Sequence, residues 1–339
     1  MAGTIVTGRL NRLECGFATA ADDAALRSLL RETPMGGSMR LTLEREPGFF
    51  HAARIEGERH YTVCAREAGR IVGMASRSVR TLFVNGAPTK IGYLSQLRIA
   101  ESHRCRTREF LRIGFAMLRE THADDEAPFD ITTIVSDNES ARRILEAGLP
   151  GLPRYRFEER ILTMALPVNR GRGRPAEISS EIGSLAPTYQ FSPIETPVNL
   201  PVIGVKRKGR VVGSAVVWDQ REFKQIVVRG YSETLERWRW LLRLPTVGTV
   251  LPLAYLSHFV VVDDDHSVCK ELLEAGLAEA QAKGYRWLAL GLASRHPLAD
   301  FVVRRYRPRV YESRLYIVHE PGTHVELDGR IPHLEVASL

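Results

Sequence analysis

The chain repeats itself once, and this internal repeat constrains its fold more than any single motif. Three segments of the first half return in the second: GRIVGMAS (69–76) as GRVVGSAV (209–216), YLSQLRI (93–99) as YLSHFVV (255–261), and EERIL (158–162) as ESRLY (312–316). The matches keep their order, which two copies of one α/β unit explain better than chance. The sequence therefore predicts an α/β protein with mixed sheets, built from similar domains at 1–168 and 185–339. Residues 169–184 are rich in Gly, Arg and Pro and are predicted to form the linker.

Composition narrows the functional class. With 339 residues, 44% hydrophobic and 26% charged, the chain suits a globular protein of two domains. It has no signal-peptide pattern and no run of about 18 apolar residues, so we expect a cytoplasmic location without membrane insertion. Its four cysteines are scattered without metal-ligand spacing, and no metal site is predicted.

The net charge of +7 and the pI near 9.4 favour a polyanionic ligand. Nucleic acid is the rival partner. However, the sequence has no zinc-finger or helix-turn-helix signature and no aromatic-studded basic strand, which argues against it.

One stretch, 93–118, carries the clearest candidate site. It is predicted to form a strand over 93–99, a polar turn with Arg104, Arg106 and Arg108, and then an amphipathic helix. The apolar helix positions are Phe110, Leu111, Phe115 and Leu118. Guanidinium groups beside a helix start favour a bound anion such as a phosphate or pyrophosphate. Exposed, solvated arginines are the alternative.

This order of strand, basic turn and helix resembles the acyl-CoA-binding core of the GNAT (general N-acetyltransferase) superfamily. The resemblance covers most of 14–166 and, more weakly, 200–320. In that family a strand with a splayed end leads into an Arg/Gln-x-x-Gly-x-Gly/Ala turn. Here the Arg falls at Arg104, but the small positions fall at Thr107 and Glu109, which departs from the motif. The resemblance implies that main-chain groups of Leu97, Arg98 and Ile99 pair with pantetheine. It also implies that the turn binds the pyrophosphate through Arg104, Cys105, Arg106, Thr107 and Arg108.

Asn138 and Ala141 resemble the second GNAT signature, which flanks the pantetheine arm. In the family this helix often carries a Tyr that protonates the departing thiolate, whereas Ile144 and Leu145 stand near that place. The resemblance therefore leaves the catalytic residues unassigned. A simple helix cap is the alternative role for Asn138.

The acceptor side is predicted from position in the motif. Phe50 lies in the segment that shapes the acceptor pocket in GNAT proteins, and Ser95 and Gln96 lie on the central strand. A surface hairpin or short helix packed by Phe49 and Phe50 is the alternative for that segment.

The second copy differs where the chemistry would be. Asp263, Asp264 and Asp265 replace the arginine turn, and carboxylates repel a pyrophosphate. A helix N-cap explains these residues more simply than a metal site. A helix over 233–244, carrying Trp238 and Trp240, is predicted to pack on a domain interface.

The resemblance implies an N-acyltransferase that uses acyl-CoA, most simply acetyl-CoA, and transfers the acyl group directly to a small amine. Two alternatives remain open. The first is a tandem transferase that uses another carrier, such as acyl carrier protein or aminoacyl-tRNA. The second is a non-catalytic pair that binds a nucleotide-like anion or a protein. A homodimer is possible.

Overall fold

The first half combines strands and helices, as the sequence predicts for an α/β unit. The computed structural model describes residues 8–10, 13–125, 127–168, 177–179, 188–194, 200–241 and 244–338. The strands of the first half are β1 (Gly8–Leu10), β2 (Leu13–Phe17), β3 (Met39–Glu44), β4 (Arg59–Glu67), β5 (Arg70–Val84), β6 (Ala87–Ile99), β7 (Asp130–Val135) and β8 (Arg154–Pro167). Its helices are α1 (Asp23–Glu32), α2 (Phe49–Glu56), α3 (Thr107–Asp125) and α4 (Glu139–Leu145).

The second half repeats the order of strands and helices seen over residues 59–167, with one inserted strand and one inserted helix. Its strands are β9 (Glu177–Ser179), β10 (Val202–Arg207), β11 (Arg210–Trp218), β12 (Gln225–Tyr231), β13 (Leu253–Val261), β14 (Trp287–Ala293) and β15 (Arg309–His319). Its helices are α5 (Glu233–Trp238), α6 (His266–Ala282) and α7 (Pro297–Tyr306). Within the described ranges, no helix is long and apolar enough to cross a membrane.

A single mixed sheet runs through both halves. Its order is β1-β2-β4-β5-β6-β7-β15-β8-β14-β13-β11-β10-β9. The halves exchange their last long strands, because β15 pairs with β7 of the first half and β8 pairs with β14 of the second. Strands β8 and β15 pair with each other at the centre. A separate ribbon of β12 and β3 also joins the halves.

A β-bulge at the same place in each copy confirms the repeat. The register of β5 and β6 shifts between Met74 and Ser76, and the register of β11 and β13 shifts between Ser214 and Val216. The bulged strands have positive φ angles at Gln96 (53°) and at His258 (50°), which are equivalent in the repeat. A bulge bends its strand, so both central strands turn away from their next neighbour at equivalent points.

Each half has its own helix-covered core. Helix α3 buries Phe110, Leu111, Met117 and Leu118 against the sheet, and α6 does the same in the second half with residues such as Leu272. The opposite face of the central strands is covered by 188–194 and 331–336, which include Phe191 and Val336.

The predicted interface helix over 233–244 is wrong in extent and burial. Helix α5 ends at Trp238, and Trp238 and Trp240 are 50% and 77% exposed. Side chains two positions apart on a helix do not share a face, so both rings could not pack on one surface.

The predicted linker 169–184 lies outside the described residues except for 177–179, which form β9. The domain boundaries at 168 and 185 stay a prediction.

Candidate acyl-CoA site

A cleft opens between β6 and β7, where the sequence predicts a splayed strand. These parallel strands pair only at Gly92–Asp130 and Tyr93–Ile131. Beyond this point the Thr132 hydroxyl donates to the Leu94 carbonyl at 2.7 Å. The edge of β6 that faces β7 therefore has no strand partner from Ser95 onward in the described part of the chain. A ligand with amide groups can pair with such an edge.

The three predicted pantetheine-binding residues lie on this edge. Leu97, Arg98 and Ile99 form the last part of β6, after the bulge. The Arg98 guanidinium donates to the Leu97 carbonyl at 2.9 Å. Burial, with a smaller contribution from the charge of Arg45, lowers the pKa of Arg98 to about 10.

The basic turn forms a 3₁₀ helix over 101–106 that runs directly into α3. The N–H groups of His103 and Thr107 donate to the Ala100 and Arg104 carbonyls, so these two N–H groups are used within the turn. What the turn presents to solvent is chiefly its side chains, because Arg104, Cys105 and Arg108 are exposed.

Carboxylates next to the turn partly balance its arginines. Arg106 Nε lies 3.0 Å from Glu109 Oε2, and Arg104 Nη1 lies 3.8 Å from Glu101 Oε1. Pairs three apart on a helix contribute about 0.2–0.5 kcal/mol, whereas a hydrogen bond to a charged group contributes about 1.5–3 kcal/mol. A phosphate can therefore compete with these carboxylates, and the Glu109 departure from the motif does not close the site.

Asn138 is the N-cap of α4. Its side-chain oxygen accepts a hydrogen bond from the Ala141 N–H at 3.2 Å. The structure thus shows the cap role, at the end of β7 across the cleft from the basic turn.

Of the three predicted acceptor residues, the two on β6 have unsatisfied polar atoms. Ser95 Oγ and Gln96 Oε1 are buried and lack a hydrogen-bond partner among the described residues. Buried polar atoms normally have partners, so this pair indicates a place where a ligand or water binds. Phe50 lies on α2 with its ring edge-on to Phe49, at 5.3 Å between centroids.

A cluster of buried charges beside α2 was not predicted from the sequence. Arg45 and Glu56 form an ion pair, and Arg80 donates to the main-chain carbonyl of Glu56. The Nη1 atom of Arg45 and the Nε atom of Arg80 are buried without a partner among the described residues. No periodicity marks these residues, which come from a loop, a helix and a strand.

The second half contributes Lys224 to this cluster. Its Nζ donates to the Ala337 carbonyl at 3.3 Å. Burial lowers the pKa of Lys224 to about 8, and Arg45 and Arg80 add to this effect while Glu56 opposes it. Burial alone would raise the pKa of Glu56, but the charges of its basic neighbours, led by Arg45, lower it overall. Both halves therefore contribute residues to this charge cluster.

The equivalent cleft of the second half is closed. Strands β13 and β14 pair only from Leu253–Trp287 to Tyr255–Ala289, so they also splay. The Tyr189 hydroxyl donates to the Asp264 carboxylate at 2.8 Å, and its ring stacks on His296 at 5.1 Å. His296 caps α7 as Asn138 caps α4. Tyr189 thus bridges the turn after β13 and the start of α7.

The predicted N-cap in the Asp triplet is confirmed. Asp265 accepts hydrogen bonds from the N–H groups of Ser267 and Val268 at 2.6 and 3.1 Å. Together with Asp264, which accepts from Tyr189, this carboxylate makes the second turn anionic where the first is cationic.

The fold is that of known acyltransferases. The chain is similar to Saccharomyces cerevisiae N-myristoyltransferase with bound myristoyl-CoA, with a TM-score of 0.61 and 11% identity, over 97% of this chain and 90% of that one. It is also similar to a GCN5-related N-acetyltransferase from Sphaerobacter thermophilus, with a TM-score of 0.52 and 12% identity, over 93% and 98%. No protein-family model and no curated protein matches the sequence. The likeness establishes the fold, which is the GNAT acyltransferase fold in tandem, as the sequence predicted.

Proposed function

We propose that the chain is an acyl-CoA-dependent N-acyltransferase whose first half binds the donor, with acetyl-CoA as the simplest donor. The asymmetry between the two clefts carries this proposal. The first cleft is open and ends at a turn with three arginines, whereas Tyr189 and Asp264 close the second. The solved structures that share the fold include an N-myristoyltransferase with myristoyl-CoA and an N-acetyltransferase.

In this proposal the donor lies across the edge of β6. The main chain of Leu97, Arg98 and Ile99 pairs with pantetheine, and residues 104–108 bind the pyrophosphate. Asn138 flanks the pantetheine arm from the other side of the cleft. The Arg104 and Arg106 guanidinium groups can each donate two hydrogen bonds to phosphate oxygens.

Transfer is direct. The acceptor amine attacks the thioester carbonyl, a C–N bond forms, the C–S bond breaks, and CoA leaves as the thiolate. The amine loses a proton to a base on the acceptor side, where Glu56 and Lys224 are the titratable groups that both halves bring together. Ser95, Gln96 and Phe50 line this side and orient the acceptor, and this positioning supplies much of the acceleration.

Calorimetric titration tests the donor site. We expect acetyl-CoA to bind with micromolar affinity and the Arg104→Ala/Arg106→Ala variant to lose at least about tenfold in affinity, because each lost charge-assisted hydrogen bond is worth about 1.5–3 kcal/mol. Arg304→Ala/Arg305→Ala removes the same charge from the surface of α7 and is the matched control. Palmitoyl-CoA and ATP, titrated in parallel, report on acyl length and on nonspecific nucleotide binding.

Failure of every CoA species to bind would overturn the proposal and favour another acyl carrier or a non-catalytic pair. An equal loss of acetyl-CoA affinity in both double variants would show that the total charge of the protein, not the turn, determines the affinity. The homodimer and the cytoplasmic location stay predictions.

A further inference from the structure

Two arginines face each other at the centre of the sheet. Arg160 on β8 is directly opposite Arg314 on β15, and these positions are equivalent in the repeat. The flanking pairs, Glu159–Leu315 and Ile161–Ser313, exchange under the same repeat, so an approximate twofold axis passes through the arginine pair. Like charges opposite each other on paired strands destabilise a sheet.

The surrounding carboxylates do not balance this pair. Arg160 Nη1 lies 3.8 Å from Glu312 Oε2. Arg314 hydrogen-bonds the Tyr316 side chain, whose hydroxyl donates to Glu146. No carboxylate among the described residues is within 4.0 Å of the Arg314 guanidinium group itself, and its Nε atom is buried without a hydrogen-bond partner. The neighbouring pairs Arg142–Glu146 and Arg156–Glu158 are each balanced. The Arg314 guanidinium group therefore lacks a carboxylate as its direct counter-charge.

An exposed aromatic ring lies beside the pair. The Phe157 side chain is 48% exposed, and the Arg314 guanidinium carbon lies 5.6 Å from its ring centroid. Phe157 also meets Tyr316 edge-on at 6.1 Å, which fixes the ring on the sheet. A fixed, exposed ring next to cationic groups suits a planar base that carries a phosphate.

Hydrogen bonds connect this surface to the mouth of the first cleft. The Ser136 hydroxyl, just after β7, donates to Glu312 Oε1 at 2.9 Å. Glu312 is also the carboxylate that faces Arg160. Glu312 thus links the arginine pair to the residue that follows β7, and β7 forms one wall of the cleft.

We propose that Phe157, Arg160 and Arg314 bind the phosphoadenosine end of the CoA thioester, with the 3′-phosphate between the two guanidinium groups and the adenine on the Phe157 ring. The inference rests on the proposed function, because it assigns the nucleotide end of the donor whose pantetheine lies in the first cleft. A phosphate monoester supplies the counter-charge that Arg314 lacks. The exchange of β8 and β15 creates this surface, since each arginine comes from a different half.

Titration of CoA and of 3′-dephospho-CoA tests the inference. We expect the unmodified protein to prefer CoA by about tenfold, as one charge-assisted interaction provides. In Arg160→Ala/Arg314→Ala this preference should disappear, with little change in the affinity for 3′-dephospho-CoA. Phe157→Leu should weaken both ligands alike, by about tenfold, because base stacking is lost.

The matched control is Arg309→Ala. Arg309 is also on β15 and also stacks on an aromatic ring, Trp287, at 5.2 Å, but it lies at the far end of the strand. The Arg309→Ala variant should keep the preference for CoA over 3′-dephospho-CoA. Adenosine 3′,5′-bisphosphate and inorganic phosphate, titrated alone, separate recognition of the nucleotide from recognition of any phosphate.

The outcomes separate the two proposals. If CoA binds but the arginine variant keeps the preference, the inference is wrong and the donor site stands. If no CoA species binds the unmodified protein, both proposals fall. If inorganic phosphate binds as well as the bisphosphate, the pair is a general anion site and the assignment to CoA is wrong.

Discussion

The buried ion pair of the first half offers a test for which the second half supplies the control. Arg77 Nε lies 2.8 Å from Asp130 Oδ1, with the two side chains 0% and 7% exposed. Arg77 also donates to the Thr121 hydroxyl at 3.1 Å, and His122 lies 3.1 Å from the other Asp130 oxygen. Asp130→Ala should cost about 3–5 kcal/mol, since it leaves a buried guanidinium without its main counter-charge.

The second half has an apolar version of the same site. Val217 and Leu288 stand at the positions equivalent to Arg77 and Asp130, and both are buried. Ala254 stands at the position equivalent to Gly92. A Cβ atom at Gly92 would clash with the Asp130 carboxylate, so the glycine is required only while the ion pair is present.

The triple variant Arg77→Val/Gly92→Ala/Asp130→Leu should therefore recover most of the loss, because well-packed apolar residues often replace a buried ion pair without cost. Urea unfolding followed by circular dichroism measures both variants. In proteins of about 150–250 residues, a loss of 1 kcal/mol lowers the melting temperature by about 2–4 °C. Asp130→Ala should therefore lower the melting temperature by about 6–20 °C. A loss below about 1 kcal/mol for Asp130→Ala, or a triple variant no more stable than the single one, would refute the reasoning.

Three further predictions concern stability. Lys224 has a pKa of about 8 in the folded protein and 10.5 in its ordinary state. The unfolded chain therefore binds more protons between these pH values, and the free energy of unfolding should rise from about pH 8 to pH 10.5. Lys224→Met should remove this rise from a plot of urea midpoint against pH, and an unchanged slope would contradict the burial argument. Gly291→Ala should destabilise by about 1–3 kcal/mol because its Cβ would clash with Val336. Gly114→Ala in α3 should stabilise the protein by about 0.8–1 kcal/mol, because no atom of the described residues lies within 4 Å of the new Cβ. Melting temperatures that shift in the same direction for both glycine variants would contradict this.

Much of the fold follows from local pattern and repeat. The Asn85–Gly86 turn joins β5 and β6 with positive φ at both residues, as the dipeptide predicts. The apolar spacing in 107–118 predicts α3, and the repeat predicts β13 as the counterpart of β6. These features depend on residues close in sequence or on similarity between the halves, both of which one sequence contains.

The exchange of β8 and β15 could not be predicted in this way. The repeat shows that the two strands are alike but not which half each one joins. The charge cluster of Arg45, Glu56 and Lys224 was missed for a related reason. Its members are far apart in sequence, and isolated charged residues are more often solvated than buried.

The central pairing has a consequence for how the protein is made. Strand β7 gains its final neighbour only when β15 has been synthesised, about 175 residues later along the chain. Contacts of such sequence separation form slowly, and an unpaired strand edge attracts other strands in the meantime. The nascent chain already contains β8, the repeat counterpart of β15. Pairing of β7 with β8 is therefore the expected kinetic competitor of the final sheet, and the folding rate depends on how readily that pairing dissolves.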